Sequence, residues 1–435
     1  MASVFIDIAP LRESPPFRRL WWGQGLASIG TQFTAMAVSL QIYALTRSTF
    51  MVGLLGVFIL VPLIIMGLYG GSIIDNNDRR KVALIASVIM WVTTMGLALT
   101  AWVHLDNVWV LYGLTAIHTS AASVSSPART AIIPRLIDRD LLPAANALNA
   151  TTITIARMVG PLIGAVLVAS FGYELAYTLD VVTFAAALYA LFRLPPVLPE
   201  RSQLGAEAPL RGWKSVIDGF HFLATRPNLR MTYLIDLAAM VCAQPIALFP
   251  AVAQEMIGGG ETTAGWLTAS IAIGSVVAMI FSGPLGRVRR QGIYIVWTVV
   301  GWGAGILGFG VVLCAVGTTH PDHVIWWALI AAGGCLGFAG ACDAISMVFR
   351  NTIVQAATPD ELRGRLQGIY TVTVAGGPNL GRVLSGGLSR GLGGISVVPL
   401  GLTAVIGGVL CAGVAAALVK ITPGFLEYDA QNPAP

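Results

Sequence analysis

Five ionisable side chains interrupt the long apolar runs of this 435-residue chain: Arg157, Asp180, Asp236, Asp343 and Arg382. At the centre of a membrane helix each costs about 2.5–3.5 kcal/mol on insertion scales, so each must pair, face a bundle interior or line water. Burial disfavours the charged form of a carboxylate, so an aspartate placed there can take up and release a proton. An arginine can pair with such an acid or contact a substrate. His118, midway along another apolar run, suits either titration near neutral pH or packing held by hydrogen bonds. Gln24, Gln32, Gln41 and Gln244 add neutral polar contacts. Other chemistries lack their residues. The three lysines follow Arg80, Trp213 and Val419, so there is no Gly-Lys pair and no G-x-x-x-x-G-K-[ST] phosphate loop. ATP is therefore not the chain's own fuel. His320 and His323 form a close pair in a loop and read as solvated rather than metal-binding. No enzyme and no cofactor is read from the sequence.

The elements that must position these side chains follow from composition. The chain is 56% hydrophobic and 11% charged, with 26 Lys+Arg and 21 Asp+Glu. Soluble domains carry about 25% charged residues, so a soluble globule, a disordered chain and a nucleic-acid binder are all excluded despite the net charge of +5. The apolar runs lack the roughly 10-residue alternation of a membrane barrel. An all-α membrane protein remains. The five cysteines all lie in apolar runs and read as small core residues. The first 17 residues hold Asp7, Arg12 and Glu13 and no sustained apolar core, so no cleaved signal peptide is expected.

A window of about 20 apolar residues per span predicts twelve helices: 20–45, 50–74, 82–103, 108–127, 143–171, 173–193, 229–253, 263–286, 292–316, 324–349, 366–388 and 396–419. The longest polar stretch, Pro195 to Asn228, ends in an amphipathic piece, Trp213 to Thr225. It divides the chain into a six-helix half at 1–194, a cytoplasmic linker with an interfacial helix at 195–228, and a second six-helix half with a short tail at 229–435. With the N-terminus inside, all but four of the 26 Lys and Arg fall in cytoplasmic segments. Arg47 and Arg390 lie outside, and Arg157 and Arg382 lie within spans. The excess places both termini in the cytoplasm.

The halves echo each other. Arg129, Asp140 and Leu141 correspond to Arg350, Glu361 and Leu362 at one offset of 221, and each group precedes a span with Gly-Pro-x-x-Gly. These are Gly160-Pro161…Gly164 and Gly377-Pro378…Gly381. A looser echo pairs the basic loop after the second span with Arg287 to Arg290 after the eighth. Duplicated halves around a midplane site are the architecture of many secondary transporters. Arg157 and Gly164 are seven residues apart and share a helix face. Gly333, Gly337 and Gly340, spaced four and three, suit close helix packing.

The loop after the second span reads Gly70-Gly71-Ser-Ile-Ile-Asp75-Asn-Asn-Asp78-Arg79-Arg80-Lys81. As physics it is either a charge lock remade as two halves rock or a positive-inside anchor. It resembles the signature loop of the major facilitator superfamily, G-x-x-x-D-R-x-G-R-R/K, through Gly71, Asp75, Arg79 and Arg80. Asn76 stands where arginine is usual and Asp78 where glycine is usual. Loops ending D-R-R-K resemble the macrolide-efflux and enterobactin-exporter-like branch. So do Pro127-Ala-Arg129…Pro134, Leu142 to Leu148 and Thr358 to Arg365. Gly160, Pro161 and Gly164 resemble part of the antiporter motif of that superfamily's exporters, with Ala165 in place of a second glycine.

The resemblance implies twelve helices in two pseudo-symmetric bundles, with helices one, four, seven and ten around a cavity. Asp236 and Asp343 would then be the proton-carrying candidates, and Arg157, Arg382, His118, Gln32 and Gln244 would complete the site. Asp180, on the sixth helix, reads as structural. Many relatives carry an acid directly after the glycine of helix one, whereas Gly30 is followed by Thr31 and Gln32. The expected function is proton-driven export of a bulky, partly apolar drug or siderophore-like compound by a monomer in a bacterial inner membrane. Its partners would be the substrate, protons and lipid, with no nucleic acid. An importer or uniporter of the same fold, and a non-transporting sensor or assembly partner, are the alternatives.

Overall fold

The chain is described here by a computed structural model covering residues 7–194, 221–283, 285, 288–318, 320–357, 363–393 and 398–429. Its helices, in order, are α1 Pro15–Thr46, α2 Thr49–Asn76, α3 Arg79–Trp102, α4 Val108–Ile132, α5 and α6 within Leu142–Phe192, α7 Pro227–Cys242, α8 Gly260–Ile280, α9 Gln291–Val316, α10 Trp326–Ala356, α11 Arg363–Leu392 and α12 Pro399–Ile421. Eight helical stretches among the described residues are long and apolar enough to cross a membrane. Dividing Leu142–Phe192 at Gly172, whose φ is 80°, and adding α1, α4 and α11 gives twelve. Those three fall short in hydropathy because they carry the polar and basic positions. No strand occurs among the described residues.

Local chemistry sets the ends. Asp78 caps α3 by accepting from the Arg80 amide at 2.9 Å, and Asn107 caps α4 by accepting from the Trp109 amide at 3.0 Å. Both satisfy backbone donors that a helix start leaves unpaired. α7 unwinds after Cys242 at Ala243–Pro245 and continues through the turn Ile246–Leu248 and the π-helical Ala253–Ile257.

The helices form two compact units. The first takes α1 as far as Gln41, α2 from Val61, and α3 to α6. Its core packs Phe17, Leu20, Ala83, Ala128, Ile132 and Leu191. The second takes α7 to α12 together with the hairpin Ile42–Leu60, which joins α1 to α2. Outward-facing Ile85, Leu99, Trp102, Trp109, Trp297, Trp326 and Ile330 remain exposed, as lipid rather than water requires. The amphipathic piece expected in the linker falls mainly on 195–220, and Arg287 and Thr358 to Leu362 of the internal echoes are also outside the described residues.

The two Gly-Pro-x-x-Gly motifs make equivalent contacts. In the first unit a side chain at Gly160 would meet Gln32, and one at Gly164 would meet the Phe33 backbone, so α5 lies tight on α1. In the second, Gly377 and Gly381 face Met240 and Gln244, so α11 lies tight on α7. Helix five against one and helix eleven against seven is the same packing in both halves.

Candidate functional site

In the second unit three charged side chains meet. Asp343 and Arg350 are seven residues apart on one face of α10, and the Arg350 guanidinium donates to Asp343 Oδ1 at 3.0 Å. Its other terminal nitrogen forms an ion pair with Asp236 of α7. Asp236 and Arg350 are sealed, at 2% and 3% side-chain exposure, whereas Asp343 is 31% exposed. Two acids share one arginine, and only one of the acids is part-exposed.

Arg350 is the residue that sequence reading misplaced. The span was expected to stop at 349, leaving Arg350 among the cytoplasmic basic residues. α10 continues to Ala356 and buries it. The signal was present in its echo partner: Arg129 is equally buried, in α4, where it donates to Ser87 Oγ at 2.8 Å. Ser87 and Ser125 lie 3.1 Å apart. One repeat thus gives its arginine two acids and the other gives it hydroxyls.

Arg382 of α11 is half-buried, and its Nε has no hydrogen-bond partner among the described residues. Gln244, at the break after α7, is 5% exposed with its Oε1 likewise without one. It borders a cavity of about 120 Å³ with Cys242, Pro245, Ile306, Leu384 and Thr403. Elsewhere in this unit the hairpin is fastened: the Tyr43 hydroxyl donates to Glu255, Arg47 donates to Gln254, and Arg390 stacks over Phe50 at 5.2 Å. Glu255 also accepts, through its carbonyl, from the His320 amide at 2.9 Å. His320 and His323 are loop residues, and no group of three or more His, Cys, Asp or Glu able to hold a metal occurs among the described residues.

In the first unit His118 is 9% exposed, 3.2 Å from Thr93 Oγ1 through Nδ1, with its ring edge-on to Phe184. Gln32 is half-buried against Gly160, and Arg157 is exposed on α5. Asp180 is fully buried. Its Oδ2 accepts from Thr34 of α1 at 2.5 Å, and its Oδ1 lies where a Cβ on Gly30 would be.

The basic residues of the loop after α2 bind helix ends. Arg79 donates to the Ala131 carbonyl at 3.2 Å. Arg80 donates to the Leu191 and Phe192 carbonyls at 3.3 and 2.5 Å. These carbonyls lie in the last turns of α4 and α6, where a helix dipole favours cations. Asp78, in the position usual for glycine, serves as the α3 cap. The surroundings of Gly71 and the side chain of Asp75 lie outside what is described.

The family profile described as "Transmembrane secretion effector" matches residues 6–433. The chain belongs to that family. It is a multi-pass membrane transporter of the major facilitator type, not an enzyme. Among curated relatives of the family it is 28% identical over 422 residues to the enterobactin exporter EntS of Shigella boydii serotype 18, covering 96% of this chain and 95% of the relative. It is 27% identical over 433 residues to the EntS of Escherichia coli strain ATCC 8739, covering 99% and 97%. Solved structures show the fold: the nucleoside transporter NupG at TM-score 0.70 and 13% identity, covering 94% of this chain and 99% of that one, and a D-xylose–proton symporter at 0.72 and 12%, covering 94% and 98%.

Proposed function

We propose that the chain is a proton-coupled exporter of bulky amphiphilic small molecules, siderophore-like or drug-like, working by alternating access as a monomer in a bacterial inner membrane with both termini cytoplasmic. The cluster Asp236–Arg350–Asp343 carries the reading. With both acids ionised it holds one negative charge in excess. A single proton on Asp343, the acid that meets water, makes it neutral and leaves Arg350 to Asp236 alone. Protonation thereby changes how firmly the arginine of α10 holds α7: it is shared with Asp343 of its own helix when that acid is ionised, and committed to Asp236 when it is not. An inward proton releases roughly 2.3 kcal/mol per 100 mV of membrane potential, enough to drive modest accumulation.

The names of the relatives, enterobactin exporters over nearly the whole chain, support export and a large polar-apolar cargo. Exposed Arg157 and half-buried Arg382 supply positive charge for an oxygen-rich or anionic cargo. Gln32, Gln244 and His118 supply neutral contacts. Gly71, Asp75, Arg79 and Arg80 form the cytoplasmic gate in this reading, and Gly160, Pro161 and Gly164 the antiporter-like helix. The organisation follows the halves 1–194 and 229–435 with 195–228 as linker.

Proteoliposomes test it. An inward proton gradient should drive efflux of enterobactin or a fluorescent amphiphile. Asp343→Asn should abolish the dependence on the gradient while leaving passive exchange. Full gradient-driven flux in both Asp343→Asn and Asp236→Asn would refute the assignment.

A further inference from the structure

Between Leu20 and Ile42 the α1 sequence contains no titratable side chain, yet a carboxylate is pressed into that helix from outside. Asp180 reaches it from α6, buried at 0% exposure. The approach depends on glycine: a Cβ at position 30 would overlap Asp180 Oδ1 and crowd the Thr183 hydroxyl. Oδ2 accepts from Thr34, and Oδ1 has no hydrogen-bond partner among the described residues.

The surroundings supply no cation among the described residues. α3, which packs on α6 through Trp91 to the Val181 carbonyl, has no titratable residue between Val82 and Trp102. From α4, His118 faces Phe184, four residues along from Asp180, and is engaged by Thr93. Arg129 is engaged by Ser87. From α5, Arg157 is exposed. On α6 itself Tyr177 donates to Gln41 at 2.7 Å, and Glu174 lies 3.8 Å from His104. Tyr173 and Tyr189 complete the set, Tyr189 lying under Arg193. An ionised carboxylate in dry surroundings needs a cation or several donors. Asp180 has the Thr34 hydroxyl, with the neighbouring Thr183 hydroxyl donating to its backbone carbonyl at 3.0 Å, and no cation among the described residues.

We propose that Asp180 is a second proton-binding site, in the first unit, which holds α1 against α6 as the neutral acid and gives up its proton when α1 moves away. The carboxyl O–H bond breaks, the proton passes through water admitted at the opening to the bulk, and the remaining water solvates the carboxylate. α1 runs on into the hairpin fastened by Tyr43 and Glu255. The role in transport rests on the proton-coupled reading above, whereas the protonation itself does not.

Infrared spectroscopy of the purified full-length protein in lipid nanodiscs separates the two. At neutral pH a carboxylic-acid C=O band should be present, should disappear in Asp180→Asn and should persist in Asp343→Asn. Thr34→Val, which removes the hydroxyl partner and keeps the acid, should shift that band without abolishing it, and it decides the matter if Asp180→Asn does not fold. An Asp180→Asn spectrum identical to wild type, or a Thr34→Val spectrum without any shift, would overturn the proposal. Loss of gradient dependence in Asp343→Asn with the Asp180 band intact would leave both proposals standing. Retained coupling in Asp343→Asn and Asp236→Asn with the band intact would remove the first alone.

Discussion

Arg350 lies two helical turns beyond Asp343 on α10, donates to its carboxylate at 3.0 Å, and pairs with Asp236 across the packing of α10 on α7. The arginine is thus the hub of the cluster, and its loss leaves the sealed Asp236 without its cation. Removing one partner of a buried pair leaves an uncompensated charge and costs about 3–5 kcal/mol. Arg350→Ala should therefore destabilise the protein strongly, read as a large fall in thermal midpoint in detergent. Removing its buried partner as well, with Arg350→Met in an Asp236→Asn background, leaves only the part-exposed Asp343 ionised and should recover much of it.

Asp343 is part-exposed, and removing its charge leaves Arg350 still paired with Asp236. Asp343→Asn should cost about 1 kcal/mol or less, in the range of a water-accessible ion pair. The same variant should show its main defect in flux, as a proton-gradient dependence that is absent. A stability loss as large as that of Arg350→Ala would contradict the hub arrangement.

The glycines of α10 are predicted to differ by position. A side chain at Gly340 would overlap the Ile271 backbone, and Ser275 donates to the Gly340 carbonyl at 2.9 Å, whereas Gly334 has nothing within 4 Å. Gly340→Ala should force α8 and α10 apart at a cost of about 1–3 kcal/mol. Gly334→Ala should be neutral or gain up to about 1 kcal/mol from helix propensity. Paired thermal melts of the two variants check this directly.

At the start of α3 the Asp78 side chain caps the Arg80 amide. Asp78→Ala should lose about 0.5–2 kcal/mol, and Asp78→Asn or Asp78→Ser should retain most of it. If position 78 instead served only as a net charge in the loop, Asn and Ser would behave like Ala.

Arg289, in the loop before α9, donates to Asp429 at 2.7 Å in the tail after α12. That hydrogen bond, and then the charge of Asp429, raise the Arg289 pKa above its ordinary value. A raised cation stabilises fully below its unfolded pKa and loses the contribution only as pH rises through the folded one. The pair should accordingly be insensitive to pH through the neutral range and fade only in strong alkali. Being exposed, it should weaken with added salt, so melting Asp429→Asn against wild type at low and high salt should show a difference at low salt only.

Much of this protein was legible in its residues. The scarcity of charge, the apolar runs and the Gly-Pro-x-x-Gly echo specified twelve helices and a duplicated pattern, because a bilayer admits few ways to satisfy a backbone and leaves a strong mark on composition. The five charges inside the runs were visible for the same reason. Arg79 and Arg80 were identified as special, though their partners, the carbonyls ending α4 and α6, belong to no side-chain motif.

Composition and spacing therefore marked the groups a membrane would penalise, and the packing of helix on helix sets how each penalty is met. Arg350 looked like a loop cation because hydropathy marks where apolar residues stop, not where a helix stops, and α10 runs seven residues further. Asp180 read only as structural because nothing local ties α6 to α1; Gly30 and Thr34 lie 150 and 146 positions away along the chain. Pairing of charges is a property of helix faces brought together, and one-dimensional spacing constrains a single helix face but not the neighbour it meets.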